Sequence, residues 1–228
     1  MDAVKGIVDD QTPLVRALIG LTVVTGLVDA ISFLGLGHIF TANMTGNLVF
    51  LGFSAGGAPG ISAARSIAAL CAFAGGSACG GRLTSSRQRT PVAQMLIATY
   101  VETALLLAAA SAATFAASDV SPAIAYAIVL STALAMGLRN AVVRKLAVPD
   151  LTTTVLTLTV TGLAADSRLA GGAGSRGGRR ILSILAMCGG ALTGAMLLRR
   201  FGISITLIGT TLVVAGLASY LLSSERSK

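Results

Sequence analysis

The chain has 228 residues, of which 54% are hydrophobic and 11% charged, with a net charge of +8 and a mean hydropathy of +0.83. Such a balance excludes an ordinary soluble domain and describes an all-α polytopic membrane protein whose first partner is the lipid bilayer. The cations lie in short loops between apolar runs and not on one basic face, which argues against nucleic acid as a partner.

In chain order, the polar opening MDAVKGIVDDQT precedes a run too long for a signal-peptide core, so the N-terminus is expected to stay in the mature protein. Eight apolar runs follow, at 14–36, 39–56, 61–81, 92–117, 122–143, 151–165, 181–198 and 201–222. Two are poor spans. The run 151–165 would be about 22 Å long as a helix, short of a core of roughly 30 Å, and 39–56 is diluted by Thr41, Asn43, Thr45 and Asn47. With no Trp and only three Tyr, the aromatic belt that marks membrane interfaces is almost missing.

Charge then decides between arrangements, because cytoplasmic loops collect Lys and Arg. Eight crossings in two parallel sets of four would leave nine of the 17 cations inside, hardly a bias. If 39–56 and 151–165 instead dip in and return, only Arg65, Arg199 and Arg200 stay outside, and 14 of the 17 are inside. The expectation is a single membrane domain over 1–228, with six transmembrane helices, two re-entrant half-membrane segments and both termini cytoplasmic. Three crossings per half force the second half to be inverted, with repeat 1 at about 13–117 and repeat 2 at about 122–222.

Residues 26–53, GLVDAISFLGLGHIFTANMTGNLVFLGF, and residues 137–164, GLRNAVVRKLAVPDLTTTVLTLTVTGLA, state one pattern twice. At an offset of 111 they share Gly26/Gly137, Leu27/Leu138, Ala30/Ala141, Thr41/Thr152 and Val49/Val160. A second match pairs Gly75, Gly76 and Gly80 with Gly189, Gly190 and Gly194 at an offset of 114. These glycine faces let helix backbones approach closely, either within one molecule or in a homodimer.

Ionisable groups at bilayer depth are costly and mark pathways or partners. Asp29 and Glu102 qualify, since a buried carboxyl is a natural proton carrier. Asp29 has a structural alternative, capping a half-helix or pairing with Arg139. Arg139, next to Asn140, reads more readily as a boundary residue snorkelling beside Arg144 and Lys145. Thr41 and Thr152 stand where N-caps belong, so short helices starting inside the protein would aim N–H groups at a shared point. Asn43, Thr45, Asn47, Thr152, Thr154 and Thr157 would supply hydrogen bonds to a polar or anionic solute there.

Cys71, Cys79 and Cys188 match no zinc or haem spacing and read as small core residues, and His38 is the only histidine. No metal or other cofactor is therefore expected. No Gly-x-Ser-x-Gly elbow, P-loop or HExxH motif occurs, and no convincing two-helix Asp pair, so no catalytic residues are assigned and an enzyme is not expected.

The stretches GLVDAISFLGLGHIFTANMTGNLVFLG and GLRNAVVRKLAVPDLTTTVLT resemble the YoaK family of small bacterial integral membrane proteins, and the likeness extends from about Pro13 to Leu222. The resemblance implies a bacterial cytoplasmic (inner) membrane location and a multi-span helical fold. It supplies no substrate. The residues themselves suggest a secondary transporter or channel for a small polar or anionic solute, with proton coupling through Asp29 or Glu102. The competing expectation is a non-transporting scaffold that binds another membrane protein through its glycine faces.

Overall fold

In lipid a backbone N–H or C=O has no water to turn to, so an apolar run must satisfy its polar groups internally, and the helix does this locally. The computed structural model describes residues 13–85, 89–115, 120–147, 156–167, 170–172 and 177–226, and among these all regular structure is helical. The helices are α1 Pro13–Gly35, α2 Met44–Ala55, α3 Ala63–Leu83, α4 Pro91–Phe115, α5 Pro122–Leu146, α6 Leu156–Ala165 and α7 Gly177–Arg226.

Local chemistry sets several boundaries. Helices α1, α4 and α5 each begin on proline, whose missing N–H is harmless in a first turn. Ser62 and Ser121 cap α3 and α5, accepting from the Arg65 amide at 3.3 Å and the Ile124 amide at 3.4 Å. Among the described residues α1, α4, α5 and α7 are long and apolar enough to cross a membrane. Helix α3 has the length, but Arg65, Arg82 and four glycines dilute its apolarity. At 12 and 10 residues, α2 and α6 reach about 18 and 15 Å, well short of the bilayer core.

The 50-residue α7 is broken at Gly202, where φ is 75° and ψ is −177°, a conformation that only glycine adopts without strain. It folds into two arms. Gly190 of the first arm abuts Val23 of α1, and Gly194 abuts Leu27 and Ala30, so this arm runs parallel to α1. Past the break Ile203 lies against Gly35, and Leu217 against Gly20, so the second arm runs back antiparallel to α1.

Four helical stretches, α1, α4, α5 and the second arm of α7, enclose the core. Leu18, Leu21, Met95, Val142 and Leu221 fill one end, and Ile31, Ile39, Ile128, Val129 and Leu207 the other. Val24, Val28, Leu106, Met136 and Val214 join them in the middle. Helix α3 flanks α5, and the first arm of α7 flanks α1.

Glycine makes both flanking contacts possible. A Cβ on Gly76 would strike the Leu134 carbonyl, one on Gly80 the Leu138 carbonyl, and one on Gly137 the Phe73 carbonyl. Across the molecule a Cβ on Gly190 would strike the Val23 carbonyl, and one on Gly26 the Met187 carbonyl. The faces of Gly76, Gly80, Gly190 and Gly194 are thus occupied within one chain. Gly75 makes only an ordinary contact with Leu134, at 3.8 Å, and Gly189 has nothing within 4 Å.

The cysteines depart from expectation: Cys71, Cys79 and Cys188 all lie on exposed helix faces, not in the core. The reason is physical, since the outer wall of this bundle is itself apolar, with Leu107, Leu192, Met196 and Leu212 all exposed. A small sulfur residue suits a lipid-facing wall as well as an interior.

Candidate functional site

Two polar clusters lie inside the apolar bundle, one helical turn apart along α1. The first is built on Asp29, which is 4% exposed. Its Oδ1 accepts from the Thr41 amide at 3.2 Å and the Ala42 amide at 2.9 Å, and its Oδ2 accepts from Asn43 Nδ2. The carboxylate therefore folds the chain after α1 back into the protein and fixes where α2 starts. Charged acceptors make such bonds stronger than neutral ones.

The turn it holds is clamped a second time. Asn47 Oδ1 accepts from the Phe40 amide at 2.9 Å while its Nδ2 donates to the Phe40 carbonyl at 2.6 Å. Phe40 in turn stacks on Phe33 of α1 and Phe50 of α2, with ring centroids 5.0 and 5.8 Å away. The N-cap position of α2 is Asn43, not Thr41, and the buried Thr41 hydroxyl has no hydrogen-bond partner.

The second cluster centres on Arg139 of α5, which is fully buried. This corrects the boundary reading: the side chain does not snorkel outward with Arg144 and Lys145. Its Nη1 donates to Glu102 Oε1 of α4 at 2.7 Å, and its Nη2 donates to the Thr25 hydroxyl of α1 and lies 3.0 Å from the Met136 sulfur. Thr25 can accept because its own proton goes to the Leu21 carbonyl, at 3.0 Å. One guanidinium thus ties three core helices. The buried Glu102 Oε2 and Arg139 Nε have no hydrogen-bond partner.

A pair so placed is no simple stabiliser, because stripping water from two ions costs several kcal/mol each and their attraction only roughly offsets it. Sequence reading assigned Glu102 no partner. The usable signal was that Glu102 and Arg139 are opposite charges deep in adjacent antiparallel runs, where each is the other's cheapest neutralisation. Arg139 pairs with Glu102 and not with Asp29, whose oxygens are already taken by the 41–43 turn.

The other expected residues scatter. Asn43 joins Asp29 in a surface groove of about 280 Å³, lined also by Gly26, Phe33, Phe40 and Met187. Asn140 donates to the Met136 carbonyl at 2.9 Å and borders a larger groove of about 610 Å³ between α3 and α5, with Phe73, Ser77, Arg144 and Lys145. Thr45 and Thr157 are exposed on the outer faces of α2 and α6. Thr152 and Thr154 lie outside the described residues.

Comparison with known proteins agrees with a membrane location. A family described as "Protein of unknown function (DUF1275)" matches residues 17–220. A curated relative, the UPF0700 transmembrane protein YoaK of Bacillus subtilis (strain 168), is 32% identical over 148 residues, and the match covers 64% of this chain and 64% of the relative's length. No solved structure matches the chain.

Proposed function

The chain belongs to the DUF1275 family of proteins of unknown function, and from that premise we propose that it is a secondary transporter or channel for a small polar or anionic solute in a bacterial cytoplasmic membrane. The observation that carries this reading is the burial of Asp29, Glu102 and Arg139 together in a bundle whose other buried residues are apolar or neutral. Ionisable side chains are kept at that depth, against their cost, where a solute or proton must pass. Binding and movement, not bond-making, is the chemistry proposed.

We propose further that six helices cross, with both termini cytoplasmic, and that the two halves are inverted copies. Arg65 Nη1 donates to the Leu36 carbonyl at 3.0 Å, which joins the end of α1 to the start of α3. That bond supports a re-entrant 39–56, since a chain whose two ends meet at one face has not crossed between them. The packing supports the repeat. The contacts Gly76–Leu134, Gly80–Leu138 and Gly80–Ala141 become Gly190–Val23, Gly194–Leu27 and Gly194–Ala30 when the offsets of 114 and 111 are applied, and Gly137–Phe73 becomes Gly26–Met187. Two helix pairs share one register.

The scaffold alternative needs free glycine faces, and those of Gly76, Gly80, Gly190 and Gly194 are covered inside the chain. Proteoliposomes test the transport reading. Uptake of a polar or anionic solute by the wild-type protein, with its pH dependence lost in Asp29→Asn or Glu102→Gln, is expected. Unchanged pH dependence in both variants would remove these carboxylates as proton carriers.

A further inference from the structure

The larger groove, between α3 and α5, has a counterpart on the other side of the molecule, and the two differ in a way that packing does not require. Applying the same offsets, Asn140, Ala141, Arg144 and Lys145 stand where Asp29, Ala30, Phe33 and Leu34 stand in the smaller groove, and Phe73 and Ser77 stand where Met187 and Ala191 do. One backbone shape is thus lined twice. The smaller copy carries a carboxylate and aromatic rings, whereas the larger carries two cations, and no carboxylate is among its described lining residues.

We propose that the α3–α5 groove binds an oxyanion, a carboxylate or a phosphate group, through Arg144 and Lys145. Three observations carry this. The cavity, at about 610 Å³, is large enough for a small ligand or a headgroup. Arg144 and Lys145 both border it, and among the described residues neither has an ion-pair partner. Its other polar walls are neutral and bring no opposing charge to the cations: Ser77 Oγ donates to the Gly137 carbonyl at 3.1 Å, and Asn140 Nδ2 donates to the Met136 carbonyl at 2.9 Å.

A topology signal or a complement to the α5 dipole needs cations in the last turn only, with no cavity beside them. A planar guanidinium beside an ammonium, facing a cavity with the apolar wall of Phe73 and Ala141, suits an anionic group on an organic body. The oxyanion could arrive as a free solute or as the headgroup of an anionic lipid. The inference is independent of transport, because binding here requires no passage through the bundle.

The test uses the full chain in nanodiscs of phosphatidylcholine. Thermal unfolding is followed while inorganic phosphate or acetate is titrated against chloride at equal ionic strength, and native mass spectrometry reads retained phosphatidylglycerol. Stabilisation by phosphate or acetate would identify a free oxyanion, and retained phosphatidylglycerol alone would identify the headgroup. In either case R144Q/K145Q should weaken binding at least tenfold, R144K/K145R should keep it, and Arg199→Gln, at the far end of the bundle, should leave it unchanged. No anion or lipid effect on the wild type, or equal binding by R144Q/K145Q, overturns the proposal. Failure of uptake with this binding intact would count against transport and not against the groove.

Discussion

Replacing Arg139 with Met leaves Glu102 buried with neither oxygen paired, and also strips Thr25 of its donor. Removing one member of a buried ion pair costs about 3–5 kcal/mol, whereas replacing both by apolar side chains of similar volume is close to neutral. For a chain of this size each kcal/mol lowers the unfolding midpoint by about 2–4 °C. Arg139→Met should therefore lose roughly 6–20 °C, and Glu102→Met a comparable amount. The double variant E102M/R139M should return to within a few degrees of the wild type. Far-UV circular dichroism during heating in detergent reads all four proteins. A single variant that unfolds within about 2 °C of the wild type would show that the pair does not hold α4 and α5. A double variant as unstable as the singles would place the cost in packing and not in charge. The double variant also separates structure from transport, since a stable E102M/R139M protein that no longer moves solute would make the charges part of the pathway.

Gly76→Ala and Gly190→Ala should each destabilise by about 1–3 kcal/mol, because the new methyl strikes a backbone carbonyl of the neighbouring helix, while Gly189→Ala, with nothing within 4 Å, should be silent in the same melts. Gly202→Ala puts a side chain at φ 75°, ψ −177° and should cost about 1–3 kcal/mol, read as a lower midpoint with helical content retained. Replacing Cys71, Cys79 and Cys188 together by Ala should shift the midpoint by no more than a few degrees, as these positions are exposed. In that cysteine-free background, single cysteines near Gly37 and Gly60 should react with an impermeant maleimide from the same side of the membrane. Reaction from opposite sides would make 39–56 a crossing and overturn the six-span arrangement.

Much of the scaffold was legible. Among the described residues the apolar runs fall on the helices with boundary errors of a few residues, because uninterrupted apolarity in lipid leaves the backbone little choice. Gly75 and Gly189 turn off the contact face, whereas Gly76, Gly80, Gly190 and Gly194 were legible as close approaches from their helical spacing. What they approach was not legible, because partner choice depends on three-dimensional register. The polar residues were read less well for the same reason. Asn47 was expected to face a solute and instead holds Phe40, a role set by a turn whose path follows from Asp29 twelve residues earlier. Arg139 was read from its sequence neighbours Arg144 and Lys145, but five residues along a helix is more than one turn, and the side chains diverge onto different faces.

In the proposed repeat the two halves are close in backbone and unlike in charge, and Arg139 shows where that difference is concentrated. At the offset of 111, Thr25 corresponds to Met136, and both side chains meet the same guanidinium nitrogen. Arg139 itself corresponds to Val28, which is also fully buried. One cation therefore lies where equivalent positions of the two halves converge. A two-fold frame holding one ion pair that is not duplicated is asymmetric at its middle, with Glu102 drawing Arg139 toward α4. In the proposed transporter, an exchange between inward- and outward-facing forms that moves α1 against α5 would break the Arg139–Thr25 contact. Thr25→Val keeps the shape but leaves Arg139 Nη2 with only the Met136 sulfur, so it should change the balance between the two forms at a cost of about 1–3 kcal/mol. Maleimide reactivity of a single cysteine in place of Asn43, measured from each side, reads that balance, and an unchanged ratio would show that Arg139 is a structural tie alone.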